Sequence, residues 1–241
     1  MSKNSRSEHP PESGVSVVNL PLIDTPQKFA AAFDVSRETV ARLEVYEKLL
    51  RQWQKGTNLV SPATLDQIWH RHFADSAQLL RFAPETAQWL DLGTGAGFPG
   101  LVVAVCRANR DTGTVHVIES NARKCAFVHE VVRETGCSVE IHQTRVESLW
   151  GNDRLTGVDC VTARALAPLP SLLELSAPFF GPNTRGLFLK GHQAKAELEN
   201  ASENWRFRAE SHPSVTRADA WIVEISDLRR RESDNVEGAK A

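Results

Sequence analysis

Cysteine is scarce in this chain of 241 residues: Cys106, Cys125, Cys137 and Cys160 are its only four, and no two form a CxxC pair. No Cys/His cluster has zinc-ligand spacing, so no bound metal is expected and the thiols read as reduced and mostly buried. Long hydrophobic runs are missing as well. The longest, Leu101 to Cys106, is far too short to span a bilayer. Pro21 and Asp24 interrupt the only apolar stretch near the start, which leaves no secretory signal core, and the expected location is the cytoplasm. An excess charge of either sign is also absent. Lys and Arg number 28 against 30 Asp and Glu, a net charge of -2. That balance excludes a globally basic nucleic-acid coat but permits a local basic patch. No internal repeat is found.

The composition that remains is globular, with 41% hydrophobic and 24% charged residues. A chain this long buries a core without disulfides or metal. Residues 1–34 are polar and rich in Ser and Pro, and read as a mostly flexible extension, loosest over Met1 to Gly14, with a short helix near Gln27 to Phe33. Residues 35–85 read as a helical cap. Ser36 is an N-cap, and Val40, Leu43, Tyr46, Leu50 and Trp53 recur at helical spacing. A second helix is expected from Ser61, with Pro62 at its first turn and Leu65, Ile68, Trp69 and Phe73 as its buried stripe. A third covers Asp75 to Phe82.

From Gln88 onward strand-like and helical segments alternate, the pattern of parallel βαβ units. Strands are predicted at Gln88 to Leu92, Thr114 to Glu119, Ser138 to Gln143, Val158 to Ala163 and Arg185 to Lys190. The last two, Arg206 to His212 and Ala220 to Ile225, are joined by a link too short for a crossover and must pair antiparallel. The expectation is an α/β domain over 86–228 with a mostly parallel, Rossmann-like sheet finished by an antiparallel hairpin. The tail 229–241, with Arg229, Arg230 and Arg231, is expected to be disordered.

The strongest motif runs from Asp91 to Gly100 and reads Asp-Leu-Gly-Thr-Gly-Ala-Gly-Phe-Pro-Gly. It follows a strand and opens a helix, where glycines let the backbone approach a ligand. Gly95, Gly97 and Gly100 alone spell a dinucleotide fingerprint. Asp91, two residues before Gly93, would repel a pyrophosphate and suit the ammonium of S-adenosylmethionine. Glu119, ending the second strand, can accept from both ribose hydroxyls of either cofactor. The bland reading is a closed strand–helix turn capped by Asp91. Taken together, the acid, the glycines and the hairpin favour the methyl donor.

These residues resemble the ribosomal RNA small-subunit methyltransferase G family. The resemblance spans about Leu43 to Leu228. It includes Asn58-Leu59-Val60, Arg71 to Ser76, Leu90 to Gly100, Glu119-Ser120, Arg145-Val146-Glu147, Arg164-Ala165 and Leu189-Lys190-Gly191. It implies a class I methyltransferase that uses S-adenosylmethionine to methylate N7 of one guanine in 16S rRNA, within the 30S subunit or its precursor, with a monomer expected. It further implies that Gly93 and Phe98 line the cofactor pocket, that Val146 and Glu147 flank the adenine, and that Arg164 sits at the pocket mouth.

Guanine N7 has a free lone pair and needs no general base, so positioning carries the rate. The segment Thr162-Ala163-Arg164-Ala165 agrees, since it lacks both an amino-methylase Asp/Asn-Pro-Pro box and a catalytic cysteine. Arg164 and Lys190 end their strands at the ligand-binding edge and are the candidate catalytic residues. The candidate cofactor contacts are Asp91, Gly93, Gly95, Phe98, Glu119, Val146, Glu147 and Arg164. The candidate RNA contacts are Arg71, Arg123, Lys124 and Lys190. Lys190 reads equally well as a surface lysine, and Glu147 as a carboxylate at a helix start. His72 and Asp75 read either as a capping network or as a pair that bonds across one turn and orients a loop beside the cofactor. Two other functions stay open: an NAD-dependent oxidoreductase using the same loop, disfavoured by Asp91 and by the lack of a Tyr-x-x-x-Lys pair, and a non-catalytic ribosome assembly factor.

Overall fold

A computed structural model describes residues 22–84, 86–108 and 113–231. The expected loose tail Met1–Gly14 and residues 232–241 lie outside them. The first helices of the described residues are α1 (Pro26–Phe33), whose N-cap Thr25 accepts from Lys28 N–H, and α2 (Arg37–Trp53), capped by Ser36. The periodic apolar stripe of α2 buries Leu43, Tyr46 and Leu50. The helix expected from Ser61 is only one turn long, α3 (Pro62–Leu65), and the stripe continues instead on a π-helical turn, Trp69–Ala74. That wider turn brings Trp69, His70, His72 and Phe73 all to buried positions. The third predicted helix divides into α4 (Asp75–Ala77) and a 3-10 turn over Gln78–Arg81.

The alternating part contains β1 (Trp89–Leu92), α5 (Gly100–Arg107), β2 (Val115–Ile118), α6 (Ala122–Thr135), β3 (Val139–His142), β4 (Cys160–Arg164), α7 (Leu169–Ser176), β5 (Arg185–Lys190) and α8 (Ala194–Asn204). It closes with β6 (Trp205–Pro213) and β7 (Trp221–Arg230). One seven-stranded sheet has the order β3-β2-β1-β4-β5-β7-β6. The first five strands pair parallel, and β7 pairs antiparallel with both β5 and β6. Asn121 starts α6 by accepting from Arg123 and Lys124 N–H, and Gly136 ends it at φ +63°. The disordered tail expected from Arg229 is not seen at its start. Arg229 and Arg230 belong to β7, where Arg230 pairs with Glu174 at 2.8 Å and lies over the Trp205 ring.

Apolar residues on the two faces of the sheet form two cores. One joins Phe29, Leu43, Tyr46, Leu50 and Phe73 of the helical region to Leu101, Val105 and Phe127 of α5 and α6. The other joins Leu90, Leu92 and Phe188 to Leu169, Leu172 and Leu173 of α7. The helical region therefore completes a sheet face rather than folding apart from it. Cys160 is fully buried in β4, and burial pushes its thiol far up, which makes it a core thiol.

Candidate functional site

Strand β1 ends in the glycine turn, and its geometry is held from beneath. Asp91 is 1% exposed. Its Oδ2 accepts from Gly100 N–H at 2.9 Å and its Oδ1 from the Thr162 hydroxyl at 2.9 Å. The carboxylate thus points into the protein, capping α5 and tying β1 to β4, instead of facing a ligand ammonium. Sequence spacing alone could not show which way this side chain turns. Burial raises its pKa to about 6, opposed by the hydrogen bonds it accepts.

Gly93 has φ +64°, and a Cβ built there would stand 2.6 Å from Leu166 Cδ1. Gly97, at φ +93°, leaves no room either: a Cβ there would lie 2.5 Å from the Tyr46 hydroxyl oxygen and from Leu101. That hydroxyl reaches across from α2 and donates to the Ala96 carbonyl. Phe98, placed by the resemblance in the pocket lining, is 3% exposed and lies beneath it, stacked between Tyr46 and His72 with centroids at 5.4 and 4.8 Å.

Beside this turn, at the carboxyl ends of β1 to β3, is a cavity of about 300 Å³. Gly93, Gly95, Glu119, Lys124, Val146 and Glu147 line it, with Ala165 and Leu166 as its far wall. Glu119 Oε2 accepts from Gly95 N–H at 3.0 Å and Oε1 from Asn121 N–H at 2.7 Å. Glu119 therefore bridges the glycine turn and the start of α6. Val146 is buried and Glu147 exposed on a 3-10 turn after β3. Arg123, expected with Lys124, is exposed and outside the lining. These residues fit an adenosyl ligand with an amino-acid end. Side-chain-free backbone lies at the turn, a carboxylate stands where a ribose would lie, and an apolar residue lies beyond.

Ala165 and Leu166 also wall a second, wider cavity of about 720 Å³. Residues 59–64, the π-helical turn, the loop after β4, the end of β5, Glu197 of α8, the hairpin link and the start of β7 enclose it. Arg71, Arg164, Lys190 and Arg217 line it against the carboxylates Asp75 and Glu197. Arg164 is its hub. Its Nη1 donates to the Arg71 carbonyl at 3.2 Å and meets Asp75 Oδ2 at 3.4 Å, and its Nη2 donates to His72 Nδ1 at 2.9 Å. The guanidinium also lies 4.8 Å over the Phe98 ring.

Since Nδ1 of His72 accepts, its proton sits on Nε2, which bonds Thr64 Oγ1 at 2.9 Å. Burial, with Arg164 and Arg71 close by, lowers the His72 pKa to about 3, so the ring is neutral at pH 7. His72 and Asp75, read either as a capping network or as a pair bonded across one turn, meet through Arg164. Asp75 Oδ1 also accepts from Thr216 Oγ1 at 2.6 Å, which anchors the helical region to the hairpin link. Lys190 is neither a free surface lysine nor a free phosphate contact. It pairs with Glu197 at 2.6 Å and donates to the Ala167 carbonyl at 2.8 Å, bracing the loop after β4. Sequence reasoning missed Tyr46, Leu166 and Glu197, since each acts through a contact with a distant segment.

A family model described as rRNA small subunit methyltransferase G, named GidB, matches residues 39–223. Ribosomal RNA small subunit methyltransferase G of Methylobacterium nodulans is 52% identical over 199 residues, covering 82% of this chain and 93% of that protein. The protein of the same name from Parvibaculum lavamentivorans is 46% identical, covering 86% and 92%. Among solved structures, an O-methyltransferase from Bacillus cereus in complex with SAH matches the fold with a TM-score of 0.56 at 14% identity, over 84% of this chain and 96% of that one. A putative O-methyltransferase from Klebsiella pneumoniae matches with a TM-score of 0.52 at 14% identity, over 76% and 89%. None of these supports the oxidoreductase alternative. The fold is that of a class I S-adenosylmethionine-dependent methyltransferase, and the chain belongs to the rRNA small subunit methyltransferase G family.

Proposed function

We propose that this protein methylates N7 of a guanine in 16S rRNA, presented by the 30S subunit or its precursor, in the cytoplasm and as a monomer. No helix among the described residues is long and apolar enough to cross a membrane. The cap, 35–85, and the methyltransferase domain, 86–228, act together, because Arg164 and Asp75 join them at the site.

The observation that carries this reading is that the titratable groups of the wide cavity with the geometry of a base are already engaged. His72 has both ring nitrogens bonded, Asp75 holds Arg164 and Thr216, and Glu197 holds Lys190 and Leu169 N–H. Such a site is poor at taking a proton and well built to hold a ring in place. Guanine N7 asks for just that. S-adenosylmethionine, when bound, supplies an electrophilic methyl group. Gly93 and Gly95 would take its amino-acid end, Glu119 the ribose, and Val146 and Glu147 the adenine edge. Arg164, on Phe98, would fix the wall between the two cavities. Arg71 and Arg217 would face the RNA backbone, with Lys124 at the smaller cavity's rim.

Tritium transfer from labelled S-adenosylmethionine to undermethylated 30S particles and to naked 16S rRNA, followed by mapping of the modified base, tests this. Label at a guanine N7, favouring particles, is expected. Label at another atom, or none in either substrate, would sink the reading.

A further inference from the structure

Away from both cavities, three potential ligands meet at the free edge of the sheet. Strands β2 and β3 pair in the register His116↔Glu140 and Ile118↔His142. His116 and Glu140 are therefore cross-strand neighbours, and His142, two residues on, shares their face. His116 Nδ1 and His142 Nε2 lie 3.2 Å apart. The Glu140 carboxylate stands 3.6 Å from the first and 4.0 Å from the second.

We propose that His116, His142 and Glu140 form a binding site for a zinc-class divalent transition-metal ion. A tetrahedral ion with bonds of about 2.0–2.1 Å holds its ligand atoms about 3.3 Å apart, close to the separation of the two ring nitrogens. Only the carboxylate has to swing inward. Arg154 binds Glu140 Oε2 at 3.1 Å and leaves Oε1 for the ion, an outer partner that fixes the carboxylate's orientation. Burial lowers the pKa of both histidines, against the pull of Glu140 and with that of Arg154, so the imidazoles need not shed a charge to ligate. The hydrogen now shared between the facing nitrogens moves to the far nitrogen of its ring. Three protein ligands leave a fourth position to water, and the N₂O donor set suits zinc, copper or nickel rather than magnesium or calcium. The ion would clamp the edge strand β3 to β2. The His142 carbonyl accepts from Glu119 N–H at 3.1 Å, so the clamp ends one bond from the cofactor acid.

Full-length, untagged protein titrated with Co²⁺ is expected to develop the visible absorption of a four-coordinate ion at one equivalent. His142→Gln and Glu140→Gln both alter part-exposed positions on the edge strand. Each should keep the parent's metal-free Tm and weaken Co²⁺ binding at least about tenfold. Zn²⁺ should raise the Tm of the parent and not of these variants. The rival cluster Glu210–His212–Glu224 supplies the control. No absorption in the parent would overturn the proposal, and so would absorption that survives both edge variants and vanishes in His212→Gln.

Discussion

The two cavities that share Ala165 and Leu166 are built by opposite means. The smaller is built around the glycine turn and one bridging acid. Its glycines lie within a few residues of one another, and its shape depends on atoms that are missing. The larger is made of long side chains from distant segments, most of them tied to a partner. A cavity of the first kind is intolerant of added bulk, and one of the second kind is intolerant of removed partners.

Gly93→Val is the strongest way to sharpen that contrast. The new side chain meets Leu166 and must adopt φ +64°. Calorimetry should show S-adenosylmethionine affinity reduced more than about 100-fold, a difference near 2.7 kcal/mol. Adding Leu166→Ala should restore only part, because the backbone strain remains. Full recovery would mean that the wall alone matters.

Arg164→Ala tests the other kind. It removes three polar contacts and the Phe98 contact at once. The expected result is a fall in kcat/KM of about 10- to 100-fold, the worth of charge-assisted hydrogen bonds at 1.5–3 kcal/mol. Arg164→Lys should rescue little, because an ammonium cannot fork to His72 and Asp75. Wild-type kinetics in both variants would remove Arg164 from the site.

Acid pH separates the cavities through two buried groups of opposite sign. Asp91 has a folded pKa near 6 against 3.8, so the native state binds its proton more tightly. Its contribution to stability is fullest below pH 3.8 and falls as the pH rises toward 6, by on the order of 3 kcal/mol. His72 is depressed from 6.5 to about 3, so its contribution is present above pH 6.5 and lost on acidification. The lowered pKa of His70, His116 and His142 acts in the same direction. Urea melts between pH 6 and 4 should therefore show a steeper acid loss in Asp91→Asn than in the parent, and a shallower one in His72→Gln. Parallel profiles would mean that neither group is as buried as the fold places it.

The smallest effect is expected where neither kind of construction applies. Arg230 pairs with Glu174 on an exposed strand end, with 66% and 49% of the two side chains accessible. Arg230→Ala should change stability by no more than about 1 kcal/mol and leave methyl transfer untouched. A larger loss would show that the end of β7 supports the site.

The same contrast explains what was legible in the chain itself. The strand–glycine–helix segment from Trp89 to Arg107 is local, and its turn chemistry is written in consecutive residues. The antiparallel ending followed from a link too short for a crossover. The direction of the Asp91 carboxylate was not legible, because Thr162 lies 71 residues away. The π-helical turn escaped because Leu65, Ile68, Trp69 and Phe73 fit an α-helical stripe equally well, and it is tertiary packing that widens the turn. Arg164 was found by its place at a strand end. Its partners Asp75 and His72 come from the helical region and became neighbours only on folding. The edge histidines were missed for the same reason, being 26 residues apart and united by strand register.

Ala165 adopts φ +52°, a left-handed backbone in a residue with a side chain, and carries Leu166 over Gly93. One short stretch of chain is thus a wall common to both cavities. If the methyl donor and RNA fill the two cavities and each biases this wall, thermodynamic reciprocity requires each to change the other's affinity by the same factor.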